Sequence, residues 1–77
     1  MEEKAQTITI LAENKPGVLY RISDLFLRRK VNIESLAVSE TEKHGISKFI
    51  IVVNINNTIL ERTKKQIARI VEVTEVY

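Results

Sequence analysis

The sequence predicts an α+β domain with the element order β-α-β-β-α-β, and three observations lead to this prediction. Residues 7–12 and 46–55 are rich in β-branched side chains and show the alternation or the apolar continuity of strands. Apolar residues recur with helical spacing over residues 17–29. Short polar or glycine-containing breaks separate the segments, and no linker, repeat or low-complexity stretch interrupts them. We therefore expect one domain, over residues 1–77.

The first strand and the first helix are expected at residues 7–12 and 17–29. Alternation predicts that one face of the strand carries Ile8, Ile10 and Ala12. The apolar face of the helix consists of Val18, Leu19, Ile22, Leu25 and Phe26. Pro16 suits the first helical position, because its fixed φ fits a helix and its missing N–H is not needed there.

The rest of the chain predicts two strands, a helix and a closing strand. The second strand covers residues 32–40, a turn follows, and the third strand covers residues 46–55. Thr58 and Glu61 have the spacing of a capping box, and Glu61 and Lys65 have the spacing of an ion pair on the second helix. The core side of that helix carries Leu60, Ile67 and Ile70. The closing strand is expected at residues 71–76.

This order corresponds to a ferredoxin-like βαββαβ plait, in which both helices pack on one face of a four-stranded antiparallel sheet. Residues 49–53 are apolar without a break. Alternate side chains of the third strand would therefore remain on the face without helices unless a second chain covers them.

The composition also indicates a need for a partner. A chain of 77 residues buries only about 60% of its unfolded surface, and this one has no cysteine for a disulfide. With one histidine and one aspartate as well, we expect no metal site, so self-association or docking on a larger protein is the natural supplement. Because we find neither a secretory leader nor an apolar stretch of membrane length, we expect a soluble, cytoplasmic protein.

The charge pattern argues against nucleic-acid binding. Twelve Lys and Arg against ten Asp and Glu give a formal charge of +2. Basic clusters occur at residues 28–30 and 62–69, but acidic residues are interspersed along the chain, so we interpret both as solvated faces. RNA-recognition domains of the same plait use two or three stacking aromatics on strands one and three, where this chain has only Phe49.

No catalytic arrangement is recognisable in the sequence. His44 lies in a hairpin turn, where a solvated role is expected, and Glu13 ends a strand with no second carboxylate beside it. A heavy-metal chaperone would need a cysteine pair, and an acylphosphatase would need an arginine in a phosphate-cradling loop. We therefore expect no catalytic residue and no cofactor, which leaves binding and regulation.

The turn from strand one into helix one is the strongest functional signal. Helix N-termini carry about half a positive charge, so the amides of Gly17, Val18 and Leu19 could hold a carboxylate without a cationic side chain. The alternative is a well-capped helix start that binds nothing.

Three segments together resemble the ACT domain of the acetolactate synthase (acetohydroxyacid synthase) small regulatory subunit. They are residues 13–19, Arg21-Ile22 and Asn32-Ile33-Glu34-Ser35-Leu36. The family shows a strand ending in Glu-Asn, a glycine turn into a helix, and an Asn-Ile-Glu-Ser-Leu sequence that opens the second strand. The similarity extends through the second helix and the closing strand.

The resemblance implies that two ACT domains pair side by side and bind a branched-chain amino acid, chiefly valine, where they meet. By position, the contacts would come from Asn14, Gly17, Val18 and Leu19 of one copy and from Asn32 and Ile33 of its neighbour. The amides suit the carboxylate, the asparagine oxygens suit the ammonium group, and the apolar side chains suit the aliphatic group. Purely structural roles, as an N-cap for Asn14 and in a turn for Asn32, stay open.

The resemblance further implies a non-catalytic subunit that docks on the thiamine-diphosphate-dependent catalytic subunit and conveys feedback inhibition. Two alternatives stay open: a structural activator that needs no ligand, and a free-standing ACT sensor of another amino acid. The sequence ends at Tyr77, whereas many subunits of this family continue into a second domain. A short form, a lone paralogue and a portion of a longer subunit all fit the resemblance.

Overall fold

The computed structural model describes residues 3–77, and its elements follow the predicted order. They are β1 (Lys4–Glu13), α1 (Val18–Arg28), β2 (Ile33–Glu40), β3 (Ile46–Ile55), α2 (Asn57–Ala68) and β4 (Val73–Val76). The strands form one antiparallel sheet in the order β2-β3-β1-β4. The predicted α+β class and ferredoxin-like plait are confirmed.

The core lies between the helices and one face of the central strands. β1 and β3 pair along their full length, with Ile8 opposite Ile51 and Ile10 opposite Phe49. The buried apolar side chains of the sheet are Ile8, Ile10, Ala12, Phe49, Ile51, Val53 and Ile55, and those of the helices are Val18, Ile22, Phe26, Leu60 and Ile67. The α1 members recur at every fourth residue, and Leu60 and Ile67 of α2 are seven residues apart, so each set lies on one face of its helix. Ile70 packs against this core while remaining partly exposed.

The start of α1 differs from the prediction. Gly17 is the N-cap, with a left-handed φ of 88°, and Val18 is the first helical residue. Pro16 therefore lies outside the helix, and its predicted place at the first helical position is wrong. No side chain caps the helix, so Asn14 is not the N-cap.

The end of α1 is a Schellman-type turn built without glycine. Lys30 has a left-handed φ of 55°. The N–H of Lys30 donates to the Leu27 carbonyl, and that of Val31 donates to the Phe26 carbonyl, both at 3.0 Å. This turn directs the chain from α1 into the edge strand β2.

The start of α2 also differs from the prediction. The N-cap is Asn56, whose side-chain oxygen accepts a hydrogen bond from the Ile59 N–H at 2.9 Å. The predicted capping box with Thr58 is wrong, because an asparagine two residues earlier already occupies the cap and leaves Thr58 in the first turn. Glu61 lies 3.9 Å from Lys64, in place of the predicted pair with Lys65.

The sheet face without helices carries a mixture of apolar and polar side chains. Register places Ile50 opposite Thr9 and Val52 opposite Thr7 on this face, as the unbroken apolar run predicted. Thr9, Ile50 and Val52 are only partly exposed, whereas Thr7 is exposed. Cover by a second chain on this face stays a prediction.

Candidate functional site

The turn between β1 and α1 is fixed from two neighbouring segments. The Asn14 N–H donates to the Gly45 carbonyl of the β2–β3 hairpin at 2.8 Å. The Glu13 N–H donates to the Glu72 carbonyl of the α2–β4 loop, also at 2.8 Å. These bonds give the turn a defined position, so its free N–H groups point in fixed directions.

Gly17 supplies the backbone conformation that the turn needs. A Cβ at this position would meet no atom within 4 Å, so glycine is required by the φ of +88° and not by crowding. Within residues 3–77, the N–H groups of Gly17 and Leu19 donate to no protein acceptor, whereas that of Val18 donates to the Lys15 carbonyl at 3.2 Å. Two of the three predicted amides are therefore free for an anion.

The predicted role of Val18 needs correction. Its side chain is 1% exposed and belongs to the core, so it cannot contact a ligand's aliphatic group. Its N–H could serve a ligand only by breaking the bond to Lys15. The side chain of Leu19, which is partly exposed, is the apolar group that the turn presents to solvent.

Charged side chains surround the turn. Lys15 Nζ lies 3.3 Å from a Glu13 carboxylate oxygen, and Arg21 Nη2 lies 2.7 Å from Glu72 Oε1. Glu72 Oε1 is buried and accepts no well-directed hydrogen bond, so the contact with Arg21 is an ion pair by distance. The contact with Arg21, helped by the residue's own backbone N–H, lowers the pKa of Glu72 against the opposing effect of burial. The pair ties the first turn of α1 to the loop before β4.

The other predicted residues lie at the opposite end of α1. Asn32 is exposed and lines a cleft of about 290 Å³ together with Lys30 and Asn54. Ile33 is partly buried against the core, opposite Val53. The eleven residues of α1 span about 16 Å between the two groups.

Asn14 lies in a separate cleft of about 370 Å³, beside the β2–β3 hairpin that includes Glu40 and His44. His44 is exposed in this hairpin. One chain therefore holds the predicted residues as two half-sites, the turn half-site (Asn14, Gly17 and Leu19) and the strand-start half-site (Asn32 and Ile33), and does not bring them together.

The edge strand β2 is exposed along its length. It pairs with β3 on one side only, and every residue after Ile33 is exposed. Leu36 and Val38 lie opposite the core residues Ile51 and Phe49, so they point to the helix side of the sheet, where the helices leave them uncovered. A bulge at Glu34 shifts the register near the start of the strand.

Sequence reasoning missed the residues that hold the turn. Gly45 and Glu72 are 31 and 58 positions from Asn14, so no local pattern links them to it. In the sequence, Arg21 belongs only to the family resemblance, and its ion pair with Glu72 forms where the loop before β4 folds back against α1.

Across residues 3–77, the structure contains no cluster of three side chains of the His, Cys, Asp or Glu type arranged to hold a metal ion. Neither α1 nor α2 has the length and apolar character needed to cross a membrane.

The plait with a glycine turn before its first helix has the architecture of an ACT domain. The family model described as the AHAS small subunit-like ACT domain matches residues 8–75. The chain belongs to this family, and the predicted resemblance is confirmed.

Named relatives and solved structures agree with the family model. The acetolactate synthase small subunit of Mycolicibacterium smegmatis is 44% identical over 70 residues, which cover 91% of this chain and 41% of the relative. The probable acetolactate synthase small subunit of Archaeoglobus fulgidus is 46% identical, with coverages of 91% and 44%. The chain thus spans less than half the length of these relatives.

Among solved structures, the acetolactate synthase small subunit of Thermotoga maritima superposes with a TM-score of 0.85 at 36% identity, covering 96% of this chain and 46% of that one. The ACT domain of a GTP pyrophosphokinase from Chlorobium tepidum gives a TM-score of 0.80 at 21% identity, covering 97% and 96%. At that lower identity the likeness shows the fold alone.

Proposed function

We propose that residues 1–77 act as one ACT domain of a regulatory, non-catalytic acetolactate synthase subunit. In this proposal two copies pair through β2 and bind a branched-chain amino acid, valine first among them, where the copies meet. The bound amino acid then conveys feedback control to the thiamine-diphosphate-dependent catalytic subunit. One observation carries the proposal. The two half-sites are separated within one chain, and the strand β2, which begins at one half-site and ends near the other, has a free edge.

Antiparallel pairing of two β2 strands would bring the half-sites together. About a twofold axis, the start of one strand lies beside the end of its partner. Asn32 directly precedes β2, and Glu40 at the other end of β2 shares a cleft with Asn14. The strand-start half-site of one copy would therefore approach the turn half-site of the other, which no arrangement within one chain achieves.

The exposed apolar surface favours the same pairing. Seven large hydrophobic side chains are exposed within residues 3–77, and five of them lie on α1 or β2. These five are Leu19, Tyr20, Leu27, Leu36 and Val38. Since α2 packs on the β4 side of the sheet, α1 lies nearer to β2, and Leu36 and Val38 form an apolar flank beside the free edge. Such a surface, next to unpaired strand backbone, is typical of a protein interface.

The assembled site would suit a zwitterion with an aliphatic side chain. The free N–H groups of Gly17 and Leu19, aided by the α1 dipole, would donate hydrogen bonds to the carboxylate. The side-chain oxygens of Asn14 and, from the partner copy, Asn32 would accept hydrogen bonds from the ammonium group, and the Leu19 side chain would contact the aliphatic group. Feedback requires that the amino acid bind the inhibited assembly more tightly than the active one.

Isothermal titration with valine, leucine and isoleucine tests the proposal. We expect heat at a ratio of one or two ligands per pair of chains, and its loss in Asn14→Ala and in Gly17→Asp, which places a carboxylate beside the free amides. Asn57→Ala is the matched control, since Asn57 is an exposed asparagine that lines neither half-site cleft. Denaturant unfolding of each variant shows that it is folded.

Three other outcomes distinguish the alternatives. Co-purification with the catalytic subunit together with a silent titration selects the ligand-independent activator. Binding of an amino acid without any association with that subunit selects a free-standing sensor. Binding that persists unchanged in both Asn14→Ala and Gly17→Asp shows that the amino acid lies elsewhere.

A further inference from the structure

Charge is strongly separated between the helices and the rest of the chain. Residues 17–30 and 57–69, which contain both helices with their adjoining turn residues, carry eight Lys and Arg against two Asp and Glu, a formal charge of +6. The remaining residues carry four Lys and Arg against eight Glu, a formal charge of −4. The small net charge of +2 conceals this separation.

The cations form a band on the outer side of the helix layer. Leu60, Thr63 and Ile67 mark the buried side of α2. At 100° per residue, Arg62, Lys65 and Arg69 lie on the opposite side, and all three are exposed.

A groove of about 240 Å³ lies between the helices, and its polar lining consists of Arg21, Arg28 and Arg69 with Asp24 and Gln66. Its apolar lining comes from Leu25 and Ile70. This outer band (Arg21, Arg28, Arg62, Lys65 and Arg69) is separate from the apolar flank next to β2.

Most of the band has no acidic partner within residues 3–77. Arg28 is paired with Asp24 at 2.8 Å, and Arg21 with Glu72. Arg62, Lys65 and Arg69 form no ion pair with any described residue. Three exposed cations in one helical row repel each other, so an external acidic surface that approaches them removes an existing repulsion as well as adding attraction.

We propose that the outer band is a docking surface for an acidic surface of a partner protein. The proposal rests on the proposed function for the partner's identity, which is then the acetolactate synthase catalytic subunit. The charge separation and the groove support it: arginines can hold carboxylates in bidentate pairs, and Leu25 and Ile70 offer contact to an apolar side chain between them.

A protein partner fits the band better than a nucleic acid does. Single strands bind with bases stacked on aromatic side chains. Phe26 and Phe49 are buried, and neither Tyr20 nor Tyr77 lines the groove. Tyr77 shares a separate cleft with Lys65, so the band has one aromatic beside it and no row of stacking aromatics.

The test compares two double variants with the same net charge. Arg62→Glu with Arg69→Glu reverses the centre of the outer band, and Lys4→Glu with Lys48→Glu reverses two cations that lie outside the helices and line neither half-site cleft. Affinity for the catalytic subunit is measured by biolayer interferometry at salt concentrations from about 0.05 to about 1 M, over which the screening length falls from more than about 10 Å to about 3 Å. Dimer state and amino-acid titration are recorded for every variant.

We expect the band variant to lose about tenfold or more in affinity at low salt and to lose most of its salt dependence. The control variant should stay within about threefold of the wild type, and amino-acid binding should persist in both. Equal affinity of the band variant and the wild type overturns the docking surface while leaving the proposed function intact.

If the wild type does not bind the catalytic subunit at any salt concentration, the proposed partner is wrong. Retention of poly-L-glutamate then tests the outer band independently of that partner. Retention of poly-L-glutamate that is lost in the band variant and kept in the control supports an acidic protein partner. Equal retention by both variants, or tighter retention of single-stranded RNA than of poly-L-glutamate, overturns it.

Discussion

Leu36→Lys should separate the proposed pair of domains. Leu36 is 41% exposed on the helix side of β2. Full burial of a leucine is worth about 1.5–3 kcal/mol, so covering this remaining surface would contribute about 1 kcal/mol per chain. A twofold pair contains the residue twice, and the loss of about 2 kcal/mol corresponds to an increase of about 30-fold in the dimer Kd. Repulsion between the two ammonium groups adds to this figure.

The control is Val71→Lys, which makes a comparable change at an 87% exposed residue in the loop before β4. Lysine at position 36 can keep its stem on the apolar surface and its charge in water, so the monomer should remain folded. Sedimentation equilibrium measures the dimer Kd of each protein, and amino-acid titration should weaken in parallel with dimer loss. A Leu36→Lys dimer as tight as the wild type, or a wild type that stays monomeric at every concentration, would refute the pairing through β2.

Three further changes test the fold around the half-sites. Lys30→Gly should raise the free energy of unfolding by about 0.5–1 kcal/mol, since it relieves a left-handed φ of 55° at some cost in unfolded-chain entropy, and Lys30→Ala should bring no such gain in urea unfolding. Phe26→Ala should cost about 3–5 kcal/mol by the same measurement, because the ring is fully buried. Glu72→Gln should lower stability at neutral pH and flatten its acid dependence. The contact with Arg21 lowers the folded pKa of Glu72 below the ordinary 4.5, so that the carboxylate stabilises the fold above this pH and the stabilisation is lost as pH falls through the folded value. Persistence of the full acid dependence in Glu72→Gln would contradict this assignment.

The sequence was sufficient for the element order and the core faces, because those depend on the local period of apolar residues. The alternation at Ile8 and Ile10 and the helical spacing of Ile22 and Phe26 all survive in the folded chain. Helix starts were less predictable. Asn56 and Thr58 are both good caps, and the choice between them depends on where β3 ends and the chain turns.

The half-sites show a second limit of local patterns. Val18 belongs to a motif that the family resemblance links to the ligand, yet the same residue is also the first member of the core face of α1. Sequence spacing alone cannot tell which role the side chain takes. Folding places it in the core and leaves Leu19 as the accessible apolar group. The distance between Asn14 and Asn32 likewise follows from the length of α1, and it is this distance that makes a second copy necessary for the proposed site.

α1 connects the two proposed surfaces, and this arrangement gives a physical route for regulation. Leu19 and Leu27 are exposed on α1, and Arg21 and Arg28 of the same helix line the groove with α2. An amino acid held by the free N–H groups at the start of α1 would restrain the helix end to which the Arg21–Glu72 pair belongs. A displacement of α1 would then change the spacing of the arginines that face the partner. Coupling of this kind requires only that the partner bind the two positions of α1 with different affinities. The salt-dependent affinity for the catalytic subunit should therefore change when valine is added, and it should not change in Asn14→Ala, in which the outer band is intact.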